Sequence, residues 1–304
     1  MEKLITQLGT ISLKNPIIPA SGTFGYGKEA SDFFPIDRLG AVLTKSITLR
    51  SRPGNPQPRI YETPSGLLNS IGLENKGYDY FLETIYPFLM TINTSRWVSI
   101  AGSSQEEYFE LAEKINLLSP DAIEVNVSCP NVKEGGVQFC QNHSMLSTVV
   151  KGVRDRTKKP IFIKISLETN QLKETVKLIQ ELGADGVCVG NTVKGLAINL
   201  VTMKPYFANI FAGLSGPAIK PIALKAVWEA YQATPNFPII GCGGISTVND
   251  VIEFLLAGAS AVEIGSSNMV NPLLIKNIIN ELTNYCGHRN VSVSSLIGYA
   301  HRKE

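Results

Sequence analysis

The stretch "PIIGCGGISTVNDVIEFLLAGASAVEIGSS", Pro238 to Ser267, holds one complete strand–helix–strand unit. Its first run, "PIIGCGG", is apolar until it breaks into glycines. A helix-like segment follows at 247–259, and then a second run, "AVEIGSS", at 261–267. Strands this continuously apolar belong to a parallel sheet covered on its outside.

The same alternation recurs upstream. Strand-like runs stand at 17–21 ("IIPAS"), 41–48 ("AVLTKSIT"), 97–102 ("WVSIAG"), 122–128 ("AIEVNVS"), 160–166 ("PIFIKIS") and 186–192 ("GVCVGNT"). Between them lie helical patterns. In 105–118, Tyr108, Leu111, Ala112 and Ile115 share one face. In 171–183, Leu172, Val176, Ile179 and Leu182 do the same before a glycine C-cap, and 217–233 behaves similarly. Eight such units point to an α/β fold, a closed (β/α)8 TIM barrel, for which ~250 residues is usual. A doubly wound open sheet is the alternative, weakened by the lack of GxGxxG after the first strand. No composition shift marks a linker, so residues 1–304 read as a single domain. "LITQLGTISLKNP" at the start reads as a short hairpin closing the bottom of the barrel. Two long connections, 49–78 and 129–145, read as functional loops over its C-terminal face.

With 44% hydrophobic and 18% charged residues, the chain has material for a large core, and a net charge of +2 makes no case for a nucleic-acid surface. No signal peptide and no run of ~20 apolar residues is apparent, which predicts a cytoplasmic chain without membrane contact. The five cysteines lack a CxxC pair, so no zinc or iron–sulfur site is expected from this chain alone.

In such a barrel the site lies at the carboxyl ends of the strands. Those ends carry Ser21, Lys45, Ser46, Ala101, Gly102, Asn126 to Cys129, Lys164, Asn191, Thr192, Gly243, Gly244, Gly265 and Ser266. The set holds two lysines and no histidine, aspartate or glutamate, which argues against metal-assisted hydrolysis and carboxylate-pair glycosidase chemistry. Two inward lysines are costly unless something anionic or electron-rich meets them. The glycines of "GLSGPAIKP" (213–221), "GCGG" (241–244) and "IGSS" (264–267) offer bare backbone for a phosphate near the last strands. "NSIGLENKG" (69–77) suits either plain turns or a planar hydrogen-bonding ligand. Cys129 reads as core filler or as the working atom of a site.

The ordered set "ASGTFGYG", "LTKSIT", "NSIGLEN", "NVSCPN", "IKIS", "GNTVKGLAI", "GLSGPAIKPIAL", "GCGGI" and "EIGSSN" spans essentially the whole chain. It resembles class 1 of the dihydroorotate dehydrogenase family, and most of all the class 1B catalytic subunit. Cysteine rather than serine at 129 argues against class 2. The resemblance implies an FMN-dependent oxidoreductase that converts dihydroorotate to orotate. It assigns FMN contacts to Ser21, Lys45, Ser46, Ser99, Asn126, Lys164, Gly190, Gly216, Gly243, Gly244, Gly265 and Ser266. It assigns the pyrimidine to Lys45, Asn69, Ser70, Ile71, Gly72, Leu73, Asn126, Asn191 and Thr192, and the base to Cys129, with Lys45 assisting. Ser99, Gly190 and Ser266 depart from the family pattern, where an asparagine, a bulkier aliphatic residue and a threonine are expected. The stretch after Cys129, with Gly135 and Gly136 as hinges, would act as a lid. Class 1B further implies a homodimer joined to an FAD and 2Fe-2S subunit that passes electrons to NAD+. Class 1A, with fumarate as acceptor, is the close alternative. A flavin-free phosphate-substrate isomerase or lyase is the remote one, and a non-enzymatic ligand-binding barrel the last.

Overall fold

The computed structural model describes residues 2–128, 142–169 and 171–302. The chain opens with an antiparallel hairpin, β1 (Thr6–Leu8) and β2 (Ile11–Leu13). Strands β3 (Ile17–Pro19) and β4 (Ala41–Leu43) follow, then β5 (Ile60–Thr63) and β6 (Gly66–Asn69). Next come β7 (Ser95–Ile100), β8 (Ala122–Asn126), β9 (Ile161–Ile165) and β10 (Gly186–Val189). The remainder are β11 (Val193–Leu196), β12 (Ile198–Asn199), β13 (Lys204–Pro205), β14 (Phe211–Ser215), β15 (Ile239–Cys242) and β16 (Ala261–Ile264).

Eight of these form one parallel sheet in the order β3-β16-β15-β10-β9-β8-β7-β4. Seven of them lie inside the apolar runs read from the sequence, and β7 overlaps the run at 97–102 but begins two residues before it, at Ser95. The two outer strands meet where Gly40 N–H donates to Ile17 O at 2.9 Å, which closes the TIM barrel. A Cβ at Gly40 would sit 2.1 Å from Asn15 O, so only glycine permits this approach. Every residue of β8, β9, β10, β15 and β16 is buried, because helices cover the outside and side chains fill the inside.

The helices bury the faces their spacing foretells. Helix Gln105–Asn116 buries Tyr108, Leu111, Ala112 and Ile115. Helix Leu172–Glu181 buries Leu172, Val176 and Ile179, whereas Leu182 is only half-buried and caps its end. Helix Val248–Leu256 begins in a reciprocal capping box between Thr247 and Asp250.

The hairpin plugs the amino end of the barrel. Leu8 and Leu13 are fully buried there, in a cluster with Ile18, Leu43, Trp97, Phe162 and Ile240. Trp97 and Phe162 stack at 4.5 Å between centroids. Truncating either ring to Ala would cost about 3–5 kcal/mol by the usual scale of large core deletions.

A second, antiparallel sheet, in the order β11-β14-β6-β5, crosses the other end. Its strands come from the long 49–78 connection and from 193–215, and most of their residues are only half-buried or exposed. Polar, short and far apart in sequence, they carry no strand signal of their own.

Candidate active site

A cavity opens at the carboxyl ends of the barrel strands, between the barrel and the crossing sheet. Ser21, Lys45, Ser46, Asn126 and Lys164 line it from the barrel. Asn69, Ile71, Gly72 and Leu73 line it from the crossing sheet and its loop, and Asn191 and Thr192 from the turn between β10 and β11. Gly216, Gly243, Gly244, Gly265 and Ser266 form the remaining side. Ile60, Leu67, Ser215, Cys242 and Met269 also reach it, and sequence reasoning did not select them.

Three candidates stand elsewhere. Ser70 is buried behind the wall, where its Oγ accepts from Asn55 Nδ2 at 2.9 Å. Ser99 lies a layer below the floor, fully buried, with its Oγ 2.8 Å from Ser46 Oγ and donating to Glu124 Oε1 at 2.7 Å. Gly190 is packed outward, where a Cβ would sit 2.3 Å from Leu167 Cδ2, so the missing aliphatic side chain is replaced by Leu167. Cys129 and the expected lid at 130–141, with Gly135 and Gly136, lie outside the described residues. The described chain reaches Ser128, whose buried Oγ accepts from Asn191 Nδ2 at 2.8 Å and bonds Asn126 Oδ1 at 3.2 Å.

The glycine side is a cradle. Gly243 and Gly244 have φ of +139° and +73°. A Cβ there would come within 2.7 Å of Ala223 Cβ and 2.6 Å of Lys220 N. Such backbone lies bare at the start of helix Lys220–Ala233 and suits a phosphate. Opposite it, Leu73 holds φ +55°, a left-handed conformation unusual for a branched residue, at the rim of the cavity.

The two lysines sit in different surroundings. Lys45, just beyond β4, is half-buried, and burial holds its ammonium below the usual lysine range. No carboxylate among the described residues lies within ion-pair distance of it. Lys164, in β9, is buried on the floor and touches Glu263 Oε2, with Glu124 Oε2 at 3.4 Å. Burial alone would lower Lys164, but the two carboxylates outweigh it and hold the cation well above its ordinary range.

These carboxylates correct the expectation of a site without acidic residues. Glu124 and Glu263 point inward from β8 and β16, both 1% exposed. Each lies two residues before a cavity-lining position, Asn126 and Gly265, and strand parity puts both members of each pair on one face. Reading only the strand ends missed them. Beside them lie Cys188 and Cys242, whose sulfurs come within 4.8 Å of Glu263. A divalent cation there would have to share Glu263 with the Lys164 ammonium, so this trio is not a metal site. Among the described residues no other His, Cys, Asp or Glu group has metal-ligand spacing.

Comparison with known proteins gives one consistent family. The family model "Dihydroorotate dehydrogenase" matches residues 3–285. A curated Parabacteroides distasonis protein named dihydroorotate dehydrogenase B (NAD(+)), catalytic subunit, is 48% identical over 300 residues, covering 98% of both chains. A Bacteroides thetaiotaomicron protein of the same name is 45% identical over 98% of this chain and 99% of its own. Among solved structures, a dihydroorotate dehydrogenase from Eimeria tenella in complex with ferulenol matches the fold with a TM-score of 0.83. It is 22% identical, over 100% of this chain and 90% of that one. The chain therefore belongs to the dihydroorotate dehydrogenase family.

Proposed function

We propose that this chain is the catalytic subunit of an NAD+-linked dihydroorotate dehydrogenase that oxidises dihydroorotate to orotate in pyrimidine biosynthesis, with FMN as its cofactor. The observation that carries the reading is one cavity lined by a glycine cradle, a floor lysine, a rim lysine and three asparagines. The residues present fit FMN. Gly216, Gly243, Gly244, Gly265 and Ser266 would hold its phosphate, while Ser21, Ser46, Asn126 and Lys164 would hold the polar side of its ring. When bound, FMN supplies an acceptor for hydride.

The protein's own groups do the rest. Asn69, Asn126, Asn191 and Thr192 offer paired donors and acceptors for a planar ring bearing amides. Asn126 is held by its Nδ2 bond to Ser46 Oγ at 3.2 Å, and Tyr108 donates to its backbone oxygen at 2.8 Å. Lys45 compensates charge that develops on the substrate. Cys129 removes the acidic C–H proton; a thiol titrates near ~8.5 when unperturbed, so a modest lowering gives a useful thiolate fraction.

Purified protein should be yellow, and an absorbance scan that lacks flavin bands would sink the assignment. Cys129→Ala should keep its flavin but be reduced by dihydroorotate at least ~100-fold more slowly under anaerobic mixing, the scale of general-base catalysis. Unchanged reduction removes the role from Cys129.

We place NAD+ behind a partner subunit carrying FAD and a 2Fe-2S cluster. Turnover with fumarate by this chain alone would favour class 1A instead. A homodimer is supported by the apolar tip of the 193–215 segment, where Leu200, Val201 and Met203 are 86%, 90% and 84% exposed. Val201→Asp should shift the protein to monomer in size-exclusion chromatography. Among the described residues no helix is long and apolar enough to cross a membrane.

A further inference from the structure

We propose that Glu124 and Glu263 share a single proton beneath Lys164, and that this one-proton pair is the positioning device that keeps the Lys164 cation charge-compensated under the flavin. The flavin half of this statement rests on the FMN reading above; the shared proton does not.

The argument begins with unmet hydrogen-bonding capacity. Glu124 Oε1 accepts from Ser99 Oγ at 2.7 Å, and Glu263 Oε2 accepts from Lys164 Nζ. The other oxygen of each carboxyl, Glu124 Oε2 and Glu263 Oε1, is buried and has no hydrogen-bond donor. Lys164 stands 3.4 Å from Glu124 Oε2, close enough for attraction but without a hydrogen bond. The Lys164 ammonium joins the two carboxyls, touching Glu263 Oε2 and standing 3.4 Å from Glu124 Oε2, so they lie side by side around one cation. Two ionised carboxylates facing each other in a dry interior, one donor-less oxygen apiece, is an expensive arrangement. One proton on the pair supplies a donor and removes the repulsion.

Charge gives the same answer. Two carboxylates against one ammonium leave an excess negative charge, whereas one proton brings the site to neutrality. The other groups packed around it are the hydroxyls of Ser46 and Ser99 and the thiols of Cys188 and Cys242. Burial pushes the Cys188 thiol up. The hydrogen bond from Cys188 brings Cys242 down to about 7 against the effect of burial, with Lys164 assisting. Neither thiol supplies positive charge, and any thiolate on Cys242 only adds to the negative excess, so the compensating proton has to reside on the carboxyls. Burial first, and then the charge of Glu263, push Glu124 up to about 8. Burial raises Glu263 as well. Lys164 donates to Glu263 and only approaches Glu124, so Glu263 is the ionised partner of Lys164 and Glu124 the main holder of the proton.

Such a pair buffers its own charge. In Glu124→Gln the amide stands in for the protonated acid, and the Lys164–Glu263 pair is untouched. In Glu263→Gln the proton leaves Glu124, which becomes the counter-ion instead. Only the double variant leaves Lys164 uncompensated, and an uncompensated cation favours anionic reduced flavin.

The test has two arms. Infrared spectroscopy of the apoprotein at pH 7 should show a protonated carboxylic-acid carbonyl band. It should be lost in both Glu124→Gln and Glu263→Gln and retained in Cys242→Ala. A wild-type spectrum without a band sensitive to either glutamate substitution overturns the shared proton, whether or not flavin binds. In the flavin-loaded protein, each single variant should change the reduced-to-oxidised ratio at fixed potential less than threefold. The double should raise it at least tenfold, about 30 mV for a two-electron couple. Single shifts that simply add to the double shift overturn the buffering. A protein that takes up no FMN but keeps the infrared band refutes the cofactor reading and leaves the pair standing.

Discussion

The rim around Lys45 and the floor around Lys164 are two answers to one problem, a cation facing the inside of a barrel. On the floor the chain supplies its own counter-ions, Glu124 and Glu263, from strands on two sides. At the rim it supplies none among the described residues, and Lys45 stays half-buried with its ammonium weakened by burial. The floor is built as a neutral, preformed base. The rim keeps an uncommitted charge for whatever anionic group arrives.

The contrast breaks most readily at Lys164. Lys164→Ala leaves two buried carboxyls facing each other, and loss of one partner from a buried pair costs about 3–5 kcal/mol. Urea denaturation should show that loss, with a deficit that grows as pH rises and the orphaned carboxyls are forced to ionise. Retention of full stability and flavin content would erase the distinction. Lys45→Ala should do the reverse. Its unfolding free energy should be nearly unchanged, while reduction of bound flavin by dihydroorotate slows about 100-fold, the size of effect seen when one electrostatic stabiliser is removed. A smaller effect belongs to Ser99→Ala, which removes the donor to Glu124 Oε1 and should cost about 1–2 kcal/mol of stability with no change in oligomeric state.

The subtlest expectation concerns the sign of the pH response. Glu124 is raised from 4.5 to about 8 on folding, so its contribution is complete below 4.5 and is lost as pH climbs through about 8. Wild type should thus lose stability relative to Glu124→Gln across that window. Lys45 is lowered from 10.5, so the folded state releases its proton first and gains stability as pH rises towards 10.5. Comparison with Lys45→Met should reveal that opposite slope. Parallel slopes for the two sites would mean that rim and floor do not differ as described.

Much of this was legible in the residues because parallel barrel strands are apolar on both faces. The runs at 122–128 and 261–267 could be placed, and their last residues read as cavity wall. The same habit hid Glu124 and Glu263. A lone acid inside an apolar run looks like an interruption, and only the two-residue parity with Asn126 and Gly265 betrays its direction. The crossing sheet was illegible for another reason. β6 pairs with β14, with Asn69 opposite Gly213, and neither strand has a buried face of its own until the other is present. Ser99 and Gly190 were placed at the cavity by resemblance, yet one is screened by Ser46 and the other is turned against Leu167.

The hairpin of β1 and β2 has a kinetic corollary. A barrel stoppered at its amino end by Leu8, Leu13 and the Trp97–Phe162 stack is a blind well, which among the described residues opens at its carboxyl end. Whatever rests on Lys164 must be loaded before whatever rests on Lys45, and must leave after it. The inner guest is locked in by the outer one, so a saturating concentration of the rim ligand should slow exchange of the floor ligand without touching it.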